Sequence, residues 1–500
     1  MQKNILEYLE NSVTLYPDKV AYTDEITKLN FKDVYMRARS IASFISTDLY
    51  KEPIVVFMGK SPETITAFYG VVYSGNYYVP IDEEMPHHRI ELIFESLKPK
   101  AVICNKEKAD VLKDFSYNGK VILYEDIINE PIDDEKLNDI RRKQIDIDPI
   151  YIVFTSGSTG TPKGVVACHR SVIDYIEALS DVLDINEKTV FGNQTPLYVD
   201  ACLKELIPTL KYAATTYLIP KELFMFPLQL VDYLNKNKIN TICWVVSALT
   251  MISSFGTLEK EIPKYLELIA FGSEVFPIKQ FNLWRNALPN AKFINLYGPT
   301  EATGMSTYYK VDREFELDEM IPIGKAFNNT EILLLNDENK LAELGEEGEI
   351  CIRGTSLTLG YYNDFVRTNE VFVQNPLNDK FPELIYKTGD IGRYNEYGDL
   401  MFVSRKDNQI KHMGHRIELG EIESAANMVP GIKTAACVFN DKKKKIVLYY
   451  VGECTLVDVS LFLKTKLPRF MIPNKIKCLE NMPLTSNGKI DRVQLKQQLL

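Results

Sequence analysis

The sequence predicts an α/β protein in which parallel sheets are flanked by helices, followed by a β-rich subdomain and a small α+β unit at the C-terminus. Three observations carry this reading. From about residue 50 to 300 short apolar runs alternate with amphipathic stretches; over 320–405 short segments alternate with Gly and Asn turns; and after residue 406 a third, basic texture begins.

The N-terminal MQKNILEYLENSVTLYPDK mixes acids and bases among apolar residues at helical spacing, which makes it a first helix rather than a signal peptide. PIVVFMG then reads as a strand, followed by a helix from Thr64 to Tyr73 and by the strands KAVICN, KVILYE and IYIVFT at 150–155. INTICWVV (239–246), LELIAFG (266–272) and KFINLYG (292–298) are separated by the helical PLQLVDYLNKN and PIKQFNLWRNA. Strand, helix, strand repeated in this way implies parallel pairing, and ligands of such sheets gather at the carboxyl ends of the strands. EILLLNDENK, GEICIRG and GDLMFVS give the β-rich subdomain. Beyond it come a helix over Glu418–Met428, the strands KTAACVFN and KKIVLYYV, a helix over Val457–Lys466 and the strand KIKCLE.

Charge divides the chain at the same place. The whole carries 58 Lys+Arg against 68 Asp+Glu, a formal −10. Residues 407–500 hold 15 basic and 9 acidic side chains, +6, which leaves −16 on residues 1–406. We therefore expect two domains, 1–406 and 407–500, the first including the β-rich subdomain. An acidic chain lacks the broad basic footprint of a nucleic-acid binder. No apolar stretch approaches the roughly 18 residues of a membrane span. The eight Cys are scattered with no CxxC pair, as expected of reduced thiols in a cytoplasmic protein rather than a disulfide frame or zinc site.

YIVFTSGSTGTPKGV (151–165) leaves a predicted strand and sets Thr155, Ser156, Ser158 and Thr159 among Gly157 and Gly160, with Lys163 near its end. Hydroxyls and glycine amides in one loop can wrap phosphate oxygens, because small residues let N–H groups approach an anion closely. It is not a Walker loop, since Pro162 precedes Lys163 and Gly164 follows it.

With this loop, VYSGNYYVPID (72–82), NLYGPTEAT (295–303), GEICIRGTSLTLGYY (348–362), YKTGDIGRYNEYGDLMFVSRKDNQIKHMGHRIELGEIE (386–423) and PLTSNGKIDR (483–492) resemble the core motifs of the adenylate-forming superfamily, in order and across nearly the whole chain. The resemblance is narrower still to the amino-acid adenylation domains of nonribosomal peptide synthesis. It implies the adenylate-forming fold with a mobile C-terminal domain, a ligase activity, and ATP and Mg²⁺ as cofactors. It further implies that Gly272, Ser273, Glu274, Asn295, Leu296, Tyr297, Gly298 and Thr300 bind the nucleotide, with Asn295 and Tyr297 at adenine and Thr300 at the α-phosphate. By the same resemblance Glu301 holds the cation, Asp390 the ribose hydroxyls, and Arg405 the nucleotide. Asp407 is then the hinge, Lys489 the catalytic cation, and Gly414 the residue beside a tunnel for a pantetheine thiol.

In TPLYVDACLKE (195–205), Asp200 matches the carboxylate that pairs with a substrate α-ammonium in amino-acid-activating members, although Val199 replaces an aromatic residue common before it. A carboxylate in an apolar cleft is costly without such a partner. The resemblance lines the side-chain pocket with Ala201, Lys204, Trp244, Ile269, Phe271, Leu296, Gly304 and Met305, bulky enough to suggest a small or flat substrate. Lys204 either points inward, toward an acidic substrate, or snorkels outward and says nothing.

The expected reaction is aminoacyl-AMP formation from an amino acid and ATP, then transfer to the phosphopantetheine arm of a carrier protein acting in trans, since the chain ends eight residues after Arg492. Stand-alone D-alanine:carrier-protein ligases are the nearest specific parallel. The rival readings are an acyl- or aryl-CoA synthetase and a non-catalytic adenylation-like scaffold.

Overall fold

The computed structural model describes residues 2–115, 117–157, 160–440, 443–484 and 490–498. Two large sheets form the body. In the six-stranded sheet the order is Lys120–Leu123, Ala101–Cys104, Pro53–Phe57, Tyr77–Pro80, Pro149–Thr155 and Lys163–Cys168. All but its last pair are parallel. Pro53–Phe57 is buried at every position, as a strand covered by helices on both faces must be.

The nine-stranded sheet carries Thr241–Val245, Leu268–Gly272 and Lys292–Tyr297 side by side and parallel, with Thr307–Lys310 returning antiparallel at the last of them. Helices start where the sequence signals them. Ser61 caps Pro62–Tyr73 by accepting from the Thr64 amide, with Pro62 at the first helical position, and Asn30 and Asp33 form a capping box for Phe31–Ile45.

The β-rich subdomain is a five-stranded antiparallel sheet between Thr330 and Arg405, built around the long strand Leu384–Tyr394. The C-terminal unit begins with the hairpin Gln409–His412/His415–Glu418 and continues through the helix Leu419–Asn427, a three-stranded sheet and the helix Leu456–Lys466. Its core gathers Ile417, Ile422, Cys437, Leu448, Val459 and Leu463 separately from the body. The sequence boundary at 406–407 thus falls between the last strand of the β-rich sheet and this hairpin.

Candidate active site

The site begins where the parallel strands end. Leu268–Gly272 and Lys292–Tyr297 deliver Ser273, Glu274, Asn295 and Tyr297 to one wall of a cavity of about 780 Å³, whose other walls include Asp390, Arg405 and Lys411. The Tyr297 hydroxyl donates to Asp390 Oδ2 at 2.5 Å, and Arg405 Nη1 donates to Asp390 Oδ1 at 2.5 Å. Asp407 in turn holds Arg405 through Nε and Nη2, both at 2.7 Å. The proposed ribose, nucleotide and hinge residues therefore form one chain of charge-assisted hydrogen bonds. Gly272 permits the close packing of these strand ends, because a Cβ there would lie 2.2 Å from the Leu296 carbonyl oxygen.

The glycine- and hydroxyl-rich loop is the turn of a hairpin whose flanking strands pair Thr155 with Lys163. Thr155, Ser156, Gly157, Gly160 and Lys163 are described; Ser158 and Thr159 lie outside the described residues. Lys163 Nζ stands 3.2 Å from the Tyr361 hydroxyl and 3.4 Å from Glu301. Glu301 is fully buried, accepts from the Tyr361 hydroxyl at 2.7 Å, and receives Arg416 Nη1 on both oxygens at 2.9 and 2.7 Å. Burial opposes its charge, yet Arg416 and Lys163 hold its carboxyl well below the usual range. Burial and the neighbouring Arg416 bring Lys163 down to about 8.

A carboxylate oxygen is the donor a Mg²⁺ requires. In this arrangement, however, Glu301 does not fit one: both oxygens are taken by Arg416, and no cluster of three or more His, Cys, Asp or Glu occurs among the described residues.

At the substrate end, Asp200 begins a short 3-10 turn that runs directly into the helix Leu203–Tyr212. It does not cap that helix, whose capping position is Cys202. Burial raises its carboxyl, against a hydrogen bond from Thr300 and the charge of Lys204. Asp200, Ala201, Gly304 and Met305 line a second cavity of about 190 Å³. Lys204 is only 3% exposed, which excludes the outward snorkel.

Of the expected side-chain pocket residues, Ala201, Gly304 and Met305 line the cavity of Asp200 and Leu296 the larger one, whereas Lys204, Trp244, Ile269 and Phe271 line neither. Trp244, Ile269 and Phe271 point to the opposite face of the sheet from Leu296 and Met305, into a separate core. There the Trp244 indole donates to the Gly192 carbonyl at 2.7 Å and Phe271 packs on Phe276 at 5.0 Å. Strand side chains alternate faces, so these three residues and Leu296 belong to opposite sides of the sheet. Cys243 and Ala270 are the buried neighbours on the face of Leu296 and Met305.

The C-terminal unit closes over this cleft. Gly414, at φ +77° in the hairpin tip, sits against Val245 so closely that a Cβ would lie 2.5 Å from Val245 Cγ1. Ser156 Oγ donates to the Arg416 carbonyl at 2.9 Å, and Lys411 Nζ lies 5.0 Å over the Tyr297 ring. Buried Arg89, in the helix His87–Leu97, pairs with buried Glu421 of the C-terminal unit. Lys489 lies outside the described residues.

Sequence reasoning named KHMGHRIELG and LTLGYY without giving roles to Lys411, Arg416 or Tyr361; cations and a hydroxyl inside matched motifs were the available signal. Arg89, in an ordinary amphipathic helix, carried none.

The family model described as "AMP-binding enzyme" matches residues 9–362, and the one described as "AMP-binding enzyme C-terminal domain" matches 421–489. Among curated proteins the chain is 30% identical over 99% of its length to tyrocidine synthase 1 of Brevibacillus parabrevis, covering 45% of that protein. It is 32% identical over 99% of its length to gramicidin S synthase 2 of Brevibacillus brevis, covering 11% of it. The chain thus spans less than half the length of these relatives. Among solved structures, the Vibrio cholerae adenylation domain AlmE in complex with glycyl-adenosine-5'-phosphate superposes with a TM-score of 0.86 at 19% identity, over 100% of this chain and 98% of that one. Holo-PA1221, described as containing adenylation and PCP domains, gives 0.82 at 22%, over 99% and 84%. At these identities the structures share the fold.

Proposed function

The chain belongs to the AMP-binding enzyme family and is an adenylate-forming ligase, and from that premise we propose that it activates an amino acid as aminoacyl-AMP and passes the aminoacyl group to the phosphopantetheine thiol of a carrier protein supplied as a separate chain. The observation that carries the amino-acid part is the placement of Asp200. Its carboxylate lines the cavity that also reaches Thr300, Asp390, Arg405 and the hairpin glycine Gly414.

In the first step the substrate carboxylate, already ionised at neutral pH, attacks the α-phosphorus of ATP; a P–O bond forms and the bond to pyrophosphate breaks. Asp200 pairs with the α-ammonium, Asp390 accepts from ribose hydroxyls, and Lys489 stabilises the charge that builds on the phosphate oxygens and pyrophosphate. In the second step a thiol attacks the acyl carbon and AMP leaves. The hairpin 409–418, seated in the cleft with Gly414 against Val245, supports an arrangement suited to this second step.

Amino-acid-dependent ATP–pyrophosphate exchange, followed by transfer to a holo-carrier protein with coenzyme A as the competing acceptor, tests the proposal. Asp200→Ala is expected to abolish exchange with amino acids. Exchange with carboxylates lacking an α-amine, untouched by Asp200→Ala, overturns it in favour of an acyl- or aryl-CoA synthetase. Nucleotide binding without turnover of any carboxylate overturns it in favour of a scaffold.

A further inference from the structure

Two helices meet across the boundary between the body and the C-terminal unit. His87–Leu97 belongs to the body, where Ile90, Ile93 and Leu97 anchor it in a core with Val55, Phe57 and Ile152. Leu419–Asn427 belongs to the C-terminal unit, where Leu419, Ile422, Ala425 and Ala426 anchor it in that unit's own core. Each helix therefore uses its apolar face within its own unit. Arg89 crosses the boundary between them, its Nη1 donating to Glu421 Oε1.

Both side chains are dry, and each depends on the other. Arg89 is 6% exposed and Glu421 3%, and among the described residues neither has a second ion-pair partner. Glu421 Oε2 is buried with no hydrogen-bond partner among those residues. Ser424, one turn further along the same helix face, lies against the glycine-rich loop, where a Cβ at Gly160 would stand 3.5 Å from Ser424 Cβ. Glu423 is of another kind: it is held inside its own unit by Arg492 Nη2 at 2.8 and 2.7 Å and by the Cys437 amide at 2.7 Å. Glu421 follows the hairpin strand His415–Glu418 by three residues, so whatever fixes Glu421 also fixes the hairpin. Arg89 lines the same 190 Å³ cavity as Gly414, His415 and Arg416.

Such a pair is weak glue but a strict gauge of position. Taking both charges out of water offsets much of their attraction, so a correctly docked pair adds little affinity between the units. A shifted or rotated docking leaves a carboxylate and a guanidinium buried without partners, which is strongly disfavoured. Full separation returns both to water. The pair therefore discriminates between dockings more than it tightens any one of them. The docking it selects is the one that seats Gly414 against Val245.

We propose that Arg89 and Glu421 are positioning residues for the thiol-transfer step, setting the register in which the C-terminal unit docks and so aiming the hairpin tip into the cleft. This rests on the two-step reading above and deepens it. In that reading Lys489 serves adenylation from a different placement of the unit, for which the pair is not required.

The test compares two rates of the full chain, using whichever amino acid, of either enantiomer, best supports ATP–pyrophosphate exchange. One rate is that exchange; the other is single-turnover transfer from aminoacyl-AMP formed on the enzyme to saturating D-pantetheine. Arg89→Met and Glu421→Leu each strand the opposite charge, and each is expected to lower transfer by on the order of 10²-fold, with a far smaller effect on exchange. The double variant strands nothing and is expected to recover roughly tenfold of that loss, a coupling that independent structural roles do not produce. Transfer unmoved in both single variants, equal losses in the two rates, or a double variant as slow as the product of the single losses overturns the proposal and leaves the two-step reading standing. No exchange with any amino acid, or exchange without transfer to pantetheine or coenzyme A, overturns both. Should an apolar variant not fold, Glu421→Gln, which keeps the size and shape of the side chain, decides through the same two rates.

Discussion

Arg416 Nη1 lies 2.9 and 2.7 Å from the two carboxylate oxygens of Glu301, a residue 115 positions earlier in the chain. One partner belongs to the C-terminal hairpin and the other to the fully buried floor of the cleft. The pair ties the position of the hairpin to the electrostatic state of the site. A carboxylate so enclosed is committed to the hairpin, and whatever else is to be held by Glu301 must displace Arg416 first.

Removing one member of a buried pair costs about 3–5 kcal/mol, because the other charge is stranded. Glu301→Gln strands Arg416 and Lys163, so the hairpin should leave the cleft without the body unfolding. Backbone amides over 409–418 are expected to exchange hydrogen on the order of 10² times faster, with the parallel strands unchanged. Undiminished protection of the hairpin would show that other contacts seat it.

Gly414 meets Val245 with no room for a side chain, and its positive φ favours glycine independently. Gly414→Leu is expected to spare pyrophosphate exchange and to lower acyl transfer to a thiol severely. The two rates measured on the same preparation decide it; equal losses would count against a hairpin that serves only the second step.

Lys489→Ala is expected to lower pyrophosphate exchange by roughly 10²–10³-fold, the usual loss of one preorganised donor to a developing anion. Thiol transfer from preformed aminoacyl-AMP should be nearly unaffected. An exchange rate equal to that of the unmodified chain removes Lys489 from the adenylation step.

The His415 ring stacks on Phe470 at 3.8 Å, and burial pulls its imidazole down to about 4, with His412 lowered in the same direction. A histidine pKa lower in the folded than in the unfolded chain means that the neutral ring is the one packed. Its stabilisation is therefore complete above about pH 6.5 and is lost as pH falls toward 4. Between those limits His415 removes at most about 1.4 kcal/mol per pH unit from the C-terminal unit. Calorimetry from pH 7 to pH 5 should show that unit's transition falling, and His415→Phe, which keeps the stack without the proton, should flatten the slope. An identical slope in the variant would assign the pH dependence elsewhere.

Legibility in the sequence followed periodicity and local chemistry. The strands later found at Thr241–Val245, Leu268–Gly272 and Lys292–Tyr297 were bounded to within a few residues, because apolar runs between helical patterns have few other uses. Tyr297 from one motif and Asp390, Arg405 and Asp407 from another meet in one hydrogen-bonded chain. The facing of strand side chains was not legible. Trp244, Ile269 and Phe271 were assigned by resemblance alone, and a parallel strand buried on both sides offers no polar alternation to tell its faces apart. Contacts between distant segments, such as Arg89 with Glu421 or Arg416 with Glu301, are set by how the two units dock, and no local pattern encodes that.

Alternation along each of these strands also separates two cores. Trp244, Ile269 and Phe271 fill one core, while Cys243 and Ala270, one step along the same backbones, belong to the core that also holds Leu296 and Met305. A substitution at Cys243 or Ala270, both fully buried, disturbs the packing on their own face and leaves the packing on the other intact. The sheet thus acts as a partition, and damage to the packing on one face is not handed directly to the other.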